Sequence, residues 1–215
     1  MKLYELLEGN VQTELDNIEI KGITDDTRKV SEGYIFVCIK GEKFDGHEFA
    51  EDMLKKGASA IVADHSLNLG KNEIIVENTR DFYGMLCAKW FGNPERRMKF
   101  IGVTGTNGKT TITNVIKKIL TDNGHKVGLI GTIQNEIGDK VIHTENTTPF
   151  AYDLMKLYAQ MADEDCDYVV MEVSSFGLVQ KRIGCTHFDT ALFTNLTQDH
   201  LDYHKTMENY YQAKK

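Results

Sequence analysis

A glycine-rich turn between two apolar segments is the clearest chemical signal in this chain of 215 residues. The turn, TGTNGKTT, follows the apolar run 100–103 and precedes 112–120, where apolar residues recur at helical spacing. Backbone N–H groups of such a turn and the positive end of the following helix bind phosphate. Lys109 would reach the outer phosphates, and the hydroxyl of Thr110 would suit Mg²⁺. The segment therefore predicts a phosphate-binding loop.

The loop departs from the usual P-loop pattern at one position. That pattern has a glycine five residues before Gly108, where this chain has Val103. The preceding glycine of this loop, Gly105, is closer to Gly108 in the sequence. The alternative is an ordinary strand-to-helix turn, and the Gly-Lys-Thr-Thr sequence between a strand and a helix disfavours it. The predicted phosphate-binding residues are Gly105, Thr106, Asn107, Gly108, Lys109, Thr110 and Thr111.

Two further polar groups follow predicted strands in the second half of the chain. Glu172 ends the apolar run that begins at Tyr168, and His200 lies in the polar loop after Ala191–Phe193. Burying a carboxylate is costly unless a cation or hydrogen bonds compensate, and Mg²⁺ would do so. From the residues alone, an exposed Glu172 satisfied by water and a surface His200 remain open alternatives.

The elements that must position these groups alternate along the chain. We predict strands at 126–130, 168–173 and 190–194 and a helix at 149–161, with Thr148 as its N-cap and Pro149 at its first position. Alternating strands and helices favour a parallel sheet covered on both faces. The loop, Glu172 and His200 would then meet at its carboxyl edge, where open α/β sheets bind ligands.

The first part of the chain predicts a separate small mixed α/β domain. The expected elements are a short helix near Leu3–Leu7, strands at 18–23, 34–39, 58–63 and 74–76, and helices at 49–56 and 79–91. The segment 92–97, with a glycine, a proline and three charges, favours a domain boundary. We therefore expect domains at 1–94 and 95–215, the second being a P-loop-type parallel-sheet ATPase domain.

Composition narrows the class of protein. A net charge of −7 argues against nucleic-acid binding, and 41% hydrophobic against 27% charged residues is ordinary for a globular protein. No apolar run approaches the length of a membrane span, and the N-terminus lacks a signal-peptide pattern. The four cysteines have no metal-ligand spacing, so we expect reduced core thiols and a cytoplasmic protein.

Several motifs in order along the chain resemble the Mur ligase family. Beside the loop these are NTTP at 146–149, MEVSS at 171–175, TNL at 194–196, DHLDYH at 199–204 and YQAK at 211–214. Upstream, DTR at 26–28 and GEKFDG at 41–46 resemble the nucleotide-sugar domain of the members that add the third amino acid. The resemblance covers nearly the whole chain.

The resemblance implies roles for individual residues. Lys109, Glu172, His200 and Lys214 would be catalytic, with Mg²⁺ held by Thr110, Glu172, His200 and a carbamylated Lys214, and ATP held by the loop. The substrate would contact Asp25, Thr27, Glu42, Lys43, Phe44, Asn146, Thr147, Thr148, Ser174, Gln180 and Arg182. Thr27 stands where the family usually has serine, which keeps the hydroxyl.

The implied activity is ATP-dependent amide formation in peptidoglycan synthesis. An amino acid would be joined to UDP-N-acetylmuramoyl-L-alanyl-D-glutamate through an acyl phosphate, by a monomer acting without nucleic acid or membrane partners. The sequence leaves lysine and diaminopimelate open as the added amino acid. A folylpolyglutamate or cyanophycin synthetase and a non-catalytic nucleotide-binding module are the alternatives.

The resemblance also bears on the length of the chain. Family members continue through the rest of the ATPase domain and a third domain, whereas this sequence stops at Lys215. We therefore expect a fragment that does not form the peptide bond by itself.

Overall fold

The computed structural model describes residues 1–7, 15, 17–42 and 44–215. Its internal contacts divide the chain into two units, Met1–Trp90 and Phe91–Lys215. This division falls shortly before the domain boundary that we expect at 94/95.

The first unit is a four-stranded parallel sheet with helices, as far as its described residues extend. The sheet follows chain order, β1-β2-β3-β4, with β2 and β3 in the centre. The strands are β1 Gly22–Thr24, β2 Tyr34–Val37, β3 Ala60–Ala63 and β4 Glu73–Ile75. The helices are α1 Leu3–Leu7, α2 Ala50–Lys55 and α3 Thr79–Trp90, with 3₁₀ turns at Gly46–Phe49 and Gly70–Asn72.

The strand predicted at 18–23 is placed too early. The ladder with β2 begins only at Gly22, which pairs with Tyr34. The preceding segment is held by single contacts instead, a bridge between Lys2 and Glu19 and a bond from Ile20 N to the Met1 carbonyl at 2.8 Å. Leu3 N also donates to the Ile18 carbonyl at 3.0 Å, so the segment lies beside the start of α1 and does not extend the parallel sheet.

The second unit carries the glycine-rich loop and, in the described residues, a six-stranded sheet. The strands are β5 Lys99–Thr104, β6 Val127–Ile130, β7 Asn135–Ile137, β8 Lys140–Ile142, β9 Tyr168–Glu172 and β10 Thr190–Phe193. The helices are α4 Lys109–Asp122, α5 Ala151–Asp163, α6 Ser175–Val179, α7 Leu201–His204 and α8 Met207–Lys214, and a 3₁₀ turn spans Pro94–Arg96.

The sheet order is β10-β5-β9-β6-β7-β8, and the first four of these strands are mutually parallel. The P-loop-type parallel sheet expected from the sequence is thus confirmed. It is extended by an antiparallel hairpin, β7–β8, that the sequence pattern does not predict. The hairpin strands have three residues each, too few for a clear period, and they meet at Gly138, whose φ of 57° suits a tight turn.

Coverage of the sheet is less complete than predicted. The edge strand β10 has Thr190, Ala191 and Phe193 exposed. In α4, Val115 and Ile119 also face solvent. The apolar spacing of α4 therefore predicts the helix correctly but not the burial of its whole apolar face.

The predicted cap of α5 is wrong. The N-cap is Phe150, with no side-chain hydrogen bond, and the helix begins at Ala151. Thr148 is fully buried; its Oγ1 donates to the Glu172 carbonyl at 3.0 Å and accepts from Ser174 N at 3.0 Å. The hydroxyl bonds to the end of β9 because that strand leaves backbone groups to satisfy where it stops.

Among the described residues, none of the helices combines the length and apolar character needed to cross a bilayer.

Candidate nucleotide and metal site

The glycine-rich loop joins β5 to α4 with the backbone that phosphate binding requires. Gly105 has φ of 135° and Gly108 has φ of 85°, both in the region that side chains disfavour. A Cβ on Gly105 would collide with Thr194 Oγ1. Gly108 is the N-cap of α4, so no side chain covers the first-turn N–H groups. These donors and the helix dipole make an anion site.

Contacts to the loop after β10 fix this conformation. Thr106 N donates to the Asn195 carbonyl at 2.9 Å, and Asn107 N donates to Asn195 Oδ1 at 3.1 Å. The Asn107 carbonyl accepts from Thr194 Oγ1 at 2.7 Å. Because β5 and β10 are parallel neighbours, their following loops meet at one edge and support each other.

A cleft of about 430 Å³ opens at this carboxyl edge. Twelve of its lining residues have polar or charged side chains, and the other two are Gly108 and Phe176; the twelve are Thr106, Asn107, Lys109, Thr110, Thr132, Asn146, Thr147, Thr148, Glu172, Ser174, Arg182 and His200. The structure thus brings together most of the residues that the sequence predicts in this unit. Gly105, Thr111, Gln180 and Lys214 lie outside the lining.

Lys109 is folded over the loop that it follows. Its Nζ donates to the carbonyls of Gly105 at 3.0 Å and Thr106 at 2.9 Å. Burial lowers the pKa of Lys109, and the carboxylates of Glu172 and Asp199 oppose this. An ammonium group between these carboxylates and the loop is suited to bind a phosphate.

Glu172 is a buried acid, with 1% of its surface exposed. Its Oε1 accepts from Thr132 N and its Oε2 from Thr132 Oγ1, both at 3.0 Å. A Cβ on Gly131 would lie 2.6 Å from Oε1, so a larger residue there would force the carboxylate to move. The exposed, water-satisfied alternative is therefore wrong, and the carboxylate borders the cleft beside Thr110.

Lys214 lies beneath the loop. Its Nζ donates to the Gly105 carbonyl at 3.0 Å and packs 4.9 Å from the centre of the Tyr210 ring. Burial, followed by repulsion from Lys109, lowers the pKa of Lys214 to about 8. A larger fraction of neutral amine is therefore present near physiological pH than for an ordinary lysine.

His200 and its neighbours form an aromatic cluster on another wall. His200 has φ of 52°, lines the cleft and packs against the edge of Phe176, with ring centres 5.1 Å apart. Behind it, His204 Nε2 lies 2.9 Å from Ser175 Oγ. Burial lowers the pKa of His204, and the charges of His200 and Lys214 add to the effect.

Arg182 lines the cleft and is held there by several polar contacts. Its Nη2 and Nε donate to Gln180 Oε1 at 2.7 and 3.0 Å, and Nη1 donates to the Thr148 carbonyl at 3.0 Å. The guanidinium also lies 3.9 Å from the centre of the Phe150 ring. Gln180 therefore acts by orienting Arg182 and does not itself line the cleft.

Three of the predicted substrate residues of the first unit make defined contacts within that unit. The Asp25 carboxylate is hydrogen-bonded to Tyr83, and burial raises the pKa of Asp25. The Thr27 carbonyl accepts from Lys56 Nζ at 2.8 Å. Phe44 stacks on Phe49 with ring centres 4.7 Å apart.

The other two predicted residues of the first unit are Glu42 and Lys43. Glu42 is exposed, and Lys43 lies outside the described residues.

Sequence reasoning missed Thr132, His204 and Tyr210. Thr132 follows β6 at the same carboxyl edge, and that position was the available signal. His204 and Tyr210 are buried by the packing of α6, α7 and α8, which no local pattern reveals. The Tyr210 hydroxyl reaches Thr106 Oγ1 at 3.2 Å and links α8 to the phosphate loop.

The fold and this cleft define a P-loop-type α/β domain. Residues 103–215 match the Mur ligase middle domain, and residues 19–90 match the Mur ligase family catalytic domain. The chain belongs to the Mur ligase family.

Individual relatives agree with this assignment. The UDP-N-acetylmuramoyl-L-alanyl-D-glutamate–2,6-diaminopimelate ligase of Clostridium perfringens is 44% identical over 213 residues, 98% of this chain and 43% of that protein. The ligase of the same name from Bacillus cereus is 46% identical over 199 residues, 93% of this chain and 40% of that protein. The chain thus spans less than half the length of these relatives.

Solved structures show the same fold. A structure of a ligase of that name superimposes with a TM-score of 0.81 and 28% identity, covering 100% of this chain and 44% of the other. MurF from Acinetobacter baumannii gives 0.64 at 20% identity over 99% of this chain and 45% of its own, a likeness of fold alone.

Proposed function

We propose that this chain supplies the UDP-sugar-binding and ATP-binding parts of an amide-forming ligase. The ligase joins an amino acid to UDP-N-acetylmuramoyl-L-alanyl-D-glutamate. One observation carries the proposal: an uncapped helix N-terminus with Lys109 and a buried carboxylate, Glu172, border the same cleft as Arg182. Phosphate, cation and acidic-substrate chemistry are thereby adjacent.

The proposed reaction consists of two successive nucleophilic displacements. A carboxylate oxygen of the dipeptide attacks the γ-phosphorus of ATP, the bond to the bridging oxygen breaks, and ADP leaves. The amine of the incoming amino acid then attacks the acyl carbon, phosphate departs with the attacking oxygen, and the amine loses a proton. Such a transfer depends on positioning and charge neutralisation. In this chain, Lys109 and the N–H groups of α4 supply them.

The residues present fit Mg²⁺. Thr110 and Glu172 offer a hydroxyl and a carboxylate at the cleft, and Mg²⁺ prefers oxygen ligands and shares them with nucleotide phosphates. His200 lines the same cleft and is the proposed ligand from the opposite wall. Bound Mg²⁺ would neutralise charge on the phosphates, while Thr132 holds Glu172 in place.

Lys214 is proposed to carry a carbamate. In carbamylation the neutral amine nitrogen attacks the carbon of CO₂ and loses a proton as the N–C bond forms, and the lowered pKa of Lys214 favours the neutral amine. The product presents oxygen in place of nitrogen, which suits Mg²⁺. Lys215 is exposed and is the natural control for this assignment.

Substrate contacts are proposed for each unit by itself. In the second unit Asn146, Thr147, Thr148, Ser174 and Arg182 border the cleft and would contact the muramoyl dipeptide. In the first unit Asp25, Thr27, Glu42 and Phe44 would contact the UDP group, together with Lys43.

We propose 2,6-diaminopimelate as the added amino acid, because relatives at 44–46% identity carry it in their names. The enzyme would act as a cytoplasmic monomer. Cys38, Cys87 and Cys166 are buried and form no disulfide, which suits a reducing compartment.

The test is product formation by a chain of full Mur ligase length that carries this sequence. It is supplied with ATP, Mg²⁺, the UDP-muramoyl dipeptide and either diaminopimelate or lysine, and products are identified by mass spectrometry. We expect the diaminopimelate tripeptide, ADP and phosphate. A lysine product would overturn the amino acid assignment, and turnover with a folate in place of the dipeptide would overturn the substrate class.

A further inference from the structure

Two histidines and a carboxylate converge in the first unit. Asp64 and His65 directly follow β3, and His47 lies in the 3₁₀ turn Gly46–Phe49 after β2. These strands are parallel neighbours, with Val37 paired to Val62, so the segments after them meet at one sheet edge. One potential ligand atom from each of His47, Asp64 and His65 lies within 4.8 Å of the others.

Asp45 holds one ring nitrogen of His47. Its carboxylate Oδ1 lies 2.6 Å from His47 Nδ1 and also accepts from the His47 backbone N–H at 3.1 Å. In the neutral ring that carries its proton on Nδ1, Nε2 keeps its lone pair. A carboxylate that holds one imidazole nitrogen while the other faces a metal is the usual support for histidine ligands.

His47 Nε2 is an orphaned buried atom. The side chain is 6% exposed, and among the described residues Nε2 has no hydrogen-bond partner. It is aimed at Asp64, whose Oδ1 lies 3.3 Å away. Buried polar atoms without partners are rare because they cost free energy, and an unplaced ion is one standard reason for them.

We propose that His47, Asp64 and His65 form a binding site for a divalent first-row transition-metal ion, with Zn²⁺ as the probe. Two imidazoles and one carboxylate are a donor set that such ions take, with water completing the coordination. Ligands at about 2.0–2.1 Å in tetrahedral geometry lie about 3.3–3.4 Å apart, close to the 3.3 Å between His47 Nε2 and Asp64 Oδ1. His65 Nδ1 lies 2.5 Å from the same Asp64 oxygen, so the exposed His65 ring would turn for all three groups to bind one ion. Asp64 and His65 are 42% and 59% exposed, so an ion and its waters have access.

The site would tie the ends of β2 and β3 together. An ion bound only by the folded unit stabilises it in proportion to the logarithm of the ion concentration over Kd. The site is independent of the proposed ligase chemistry, since none of its ligands belongs to the catalytic or substrate sets above.

The experiment measures Zn²⁺ binding to the purified, chelator-treated chain by isothermal titration calorimetry. The visible spectrum of the Co²⁺ form reports histidine coordination. His65→Ala and Asp64→Asn change exposed ligands and should leave the fold intact. His143→Ala removes an exposed histidine outside the cluster and is the matched control. Asp45→Asn tests the support of His47.

We expect one equivalent of Zn²⁺ to bind the wild type and His143→Ala alike. Binding should weaken about tenfold or more in the ligand variants and about 10–100-fold in Asp45→Asn. Zn²⁺ should raise the Tm of the wild type by more than that of His65→Ala. Absence of binding to the wild type, or equal binding and equal Tm shifts in wild type, His65→Ala and Asp64→Asn, would overturn the proposal.

Discussion

Lys109 and Lys214 donate to the same atom: the Nζ of each lies 3.0 Å from the carbonyl oxygen of Gly105. Residues far apart in sequence thus place two ammonium groups around one backbone acceptor of the phosphate loop. Repulsion from Lys109 adds to burial in lowering the pKa of Lys214 to about 8. The pair predisposes the loop to gain an anion and Lys214 to lose a proton.

The first prediction concerns stability against pH in Lys214→Met. The folded-state pKa of Lys214, about 8, lies below the ordinary lysine pKa of 10.5, so the unfolded chain binds more protons between these values. The unfavourable effect of Lys214 is full below pH 8 and disappears as the pH rises towards 10.5. The stability of Lys214→Met relative to wild type should fall by on the order of 2 kcal/mol between pH 7 and pH 10.

Urea unfolding of both proteins at several pH values measures this difference. Lys215→Met changes the exposed neighbour and should show a much smaller dependence on pH. A constant difference between Lys214→Met and wild type across this range would contradict the burial of the Lys214 ammonium group.

The second prediction concerns nucleotide binding by the loop. Lys109→Ala should weaken Mg²⁺-ADP and Mg²⁺-ATP binding about tenfold or more while the protein stays folded, since a charge-assisted bond to phosphate contributes about 1.5–3 kcal/mol. Lys118→Ala, on the exposed side of the same helix and paired only with Asp122 in the described structure, is the control. Calorimetry that gives equal affinities for the two variants would remove Lys109 from the phosphate site.

The third prediction tests the carboxylate at the end of β9. Gly131→Ala changes no charge, yet its methyl group would meet Glu172 Oε1 at 2.6 Å. We expect both Gly131→Ala and Glu172→Gln to weaken Mg²⁺-dependent nucleotide binding, whereas the surface control Glu164→Gln should bind normally. Binding titrations at varied Mg²⁺ give the answer, and an unimpaired Gly131→Ala would show that the carboxylate position is unimportant.

The fourth prediction concerns Thr148 as a structural bridge. Thr148→Val keeps the shape but loses the bonds to the Glu172 carbonyl and from Ser174 N. Two buried backbone groups left without partners should lower the free energy of unfolding by about 1–3 kcal/mol. Thr121→Val, at an exposed position of α4, serves as the comparison in urea unfolding. Equal stability of both variants would contradict the bridging role.

The sequence predicts the parallel core of the second unit well because its strands are short apolar runs that end in polar loops. Val103, Met171 and Leu192 each precede such a loop on neighbouring strands. Convergence of the loop, Glu172 and His200 follows from topology, since parallel strands bring their carboxyl ends to one edge.

Other features depend on contacts that local patterns do not encode. Thr148 looks like a helix cap until the end of β9 is placed beside it. The β7–β8 hairpin is too short for its period to be read. The burial of Lys214 and of the His47 side chain results from packing between distant segments. Neighbouring residues in the sequence therefore reveal neither the lowered pKa of Lys214 nor the lack of a hydrogen bond at His47 Nε2.

The central claim is that the ligase activates a substrate carboxylate by phosphorylation. The direct measurement uses a chain of full Mur ligase length that carries this sequence, supplied with UDP-muramoyl dipeptide whose carboxylate is enriched in oxygen-18. In the acyl phosphate route the attacking oxygen leaves with the phosphate. Mass spectrometry should therefore find one oxygen-18 atom in each phosphate formed with the tripeptide product. Tripeptide formed together with unlabelled phosphate would contradict the account.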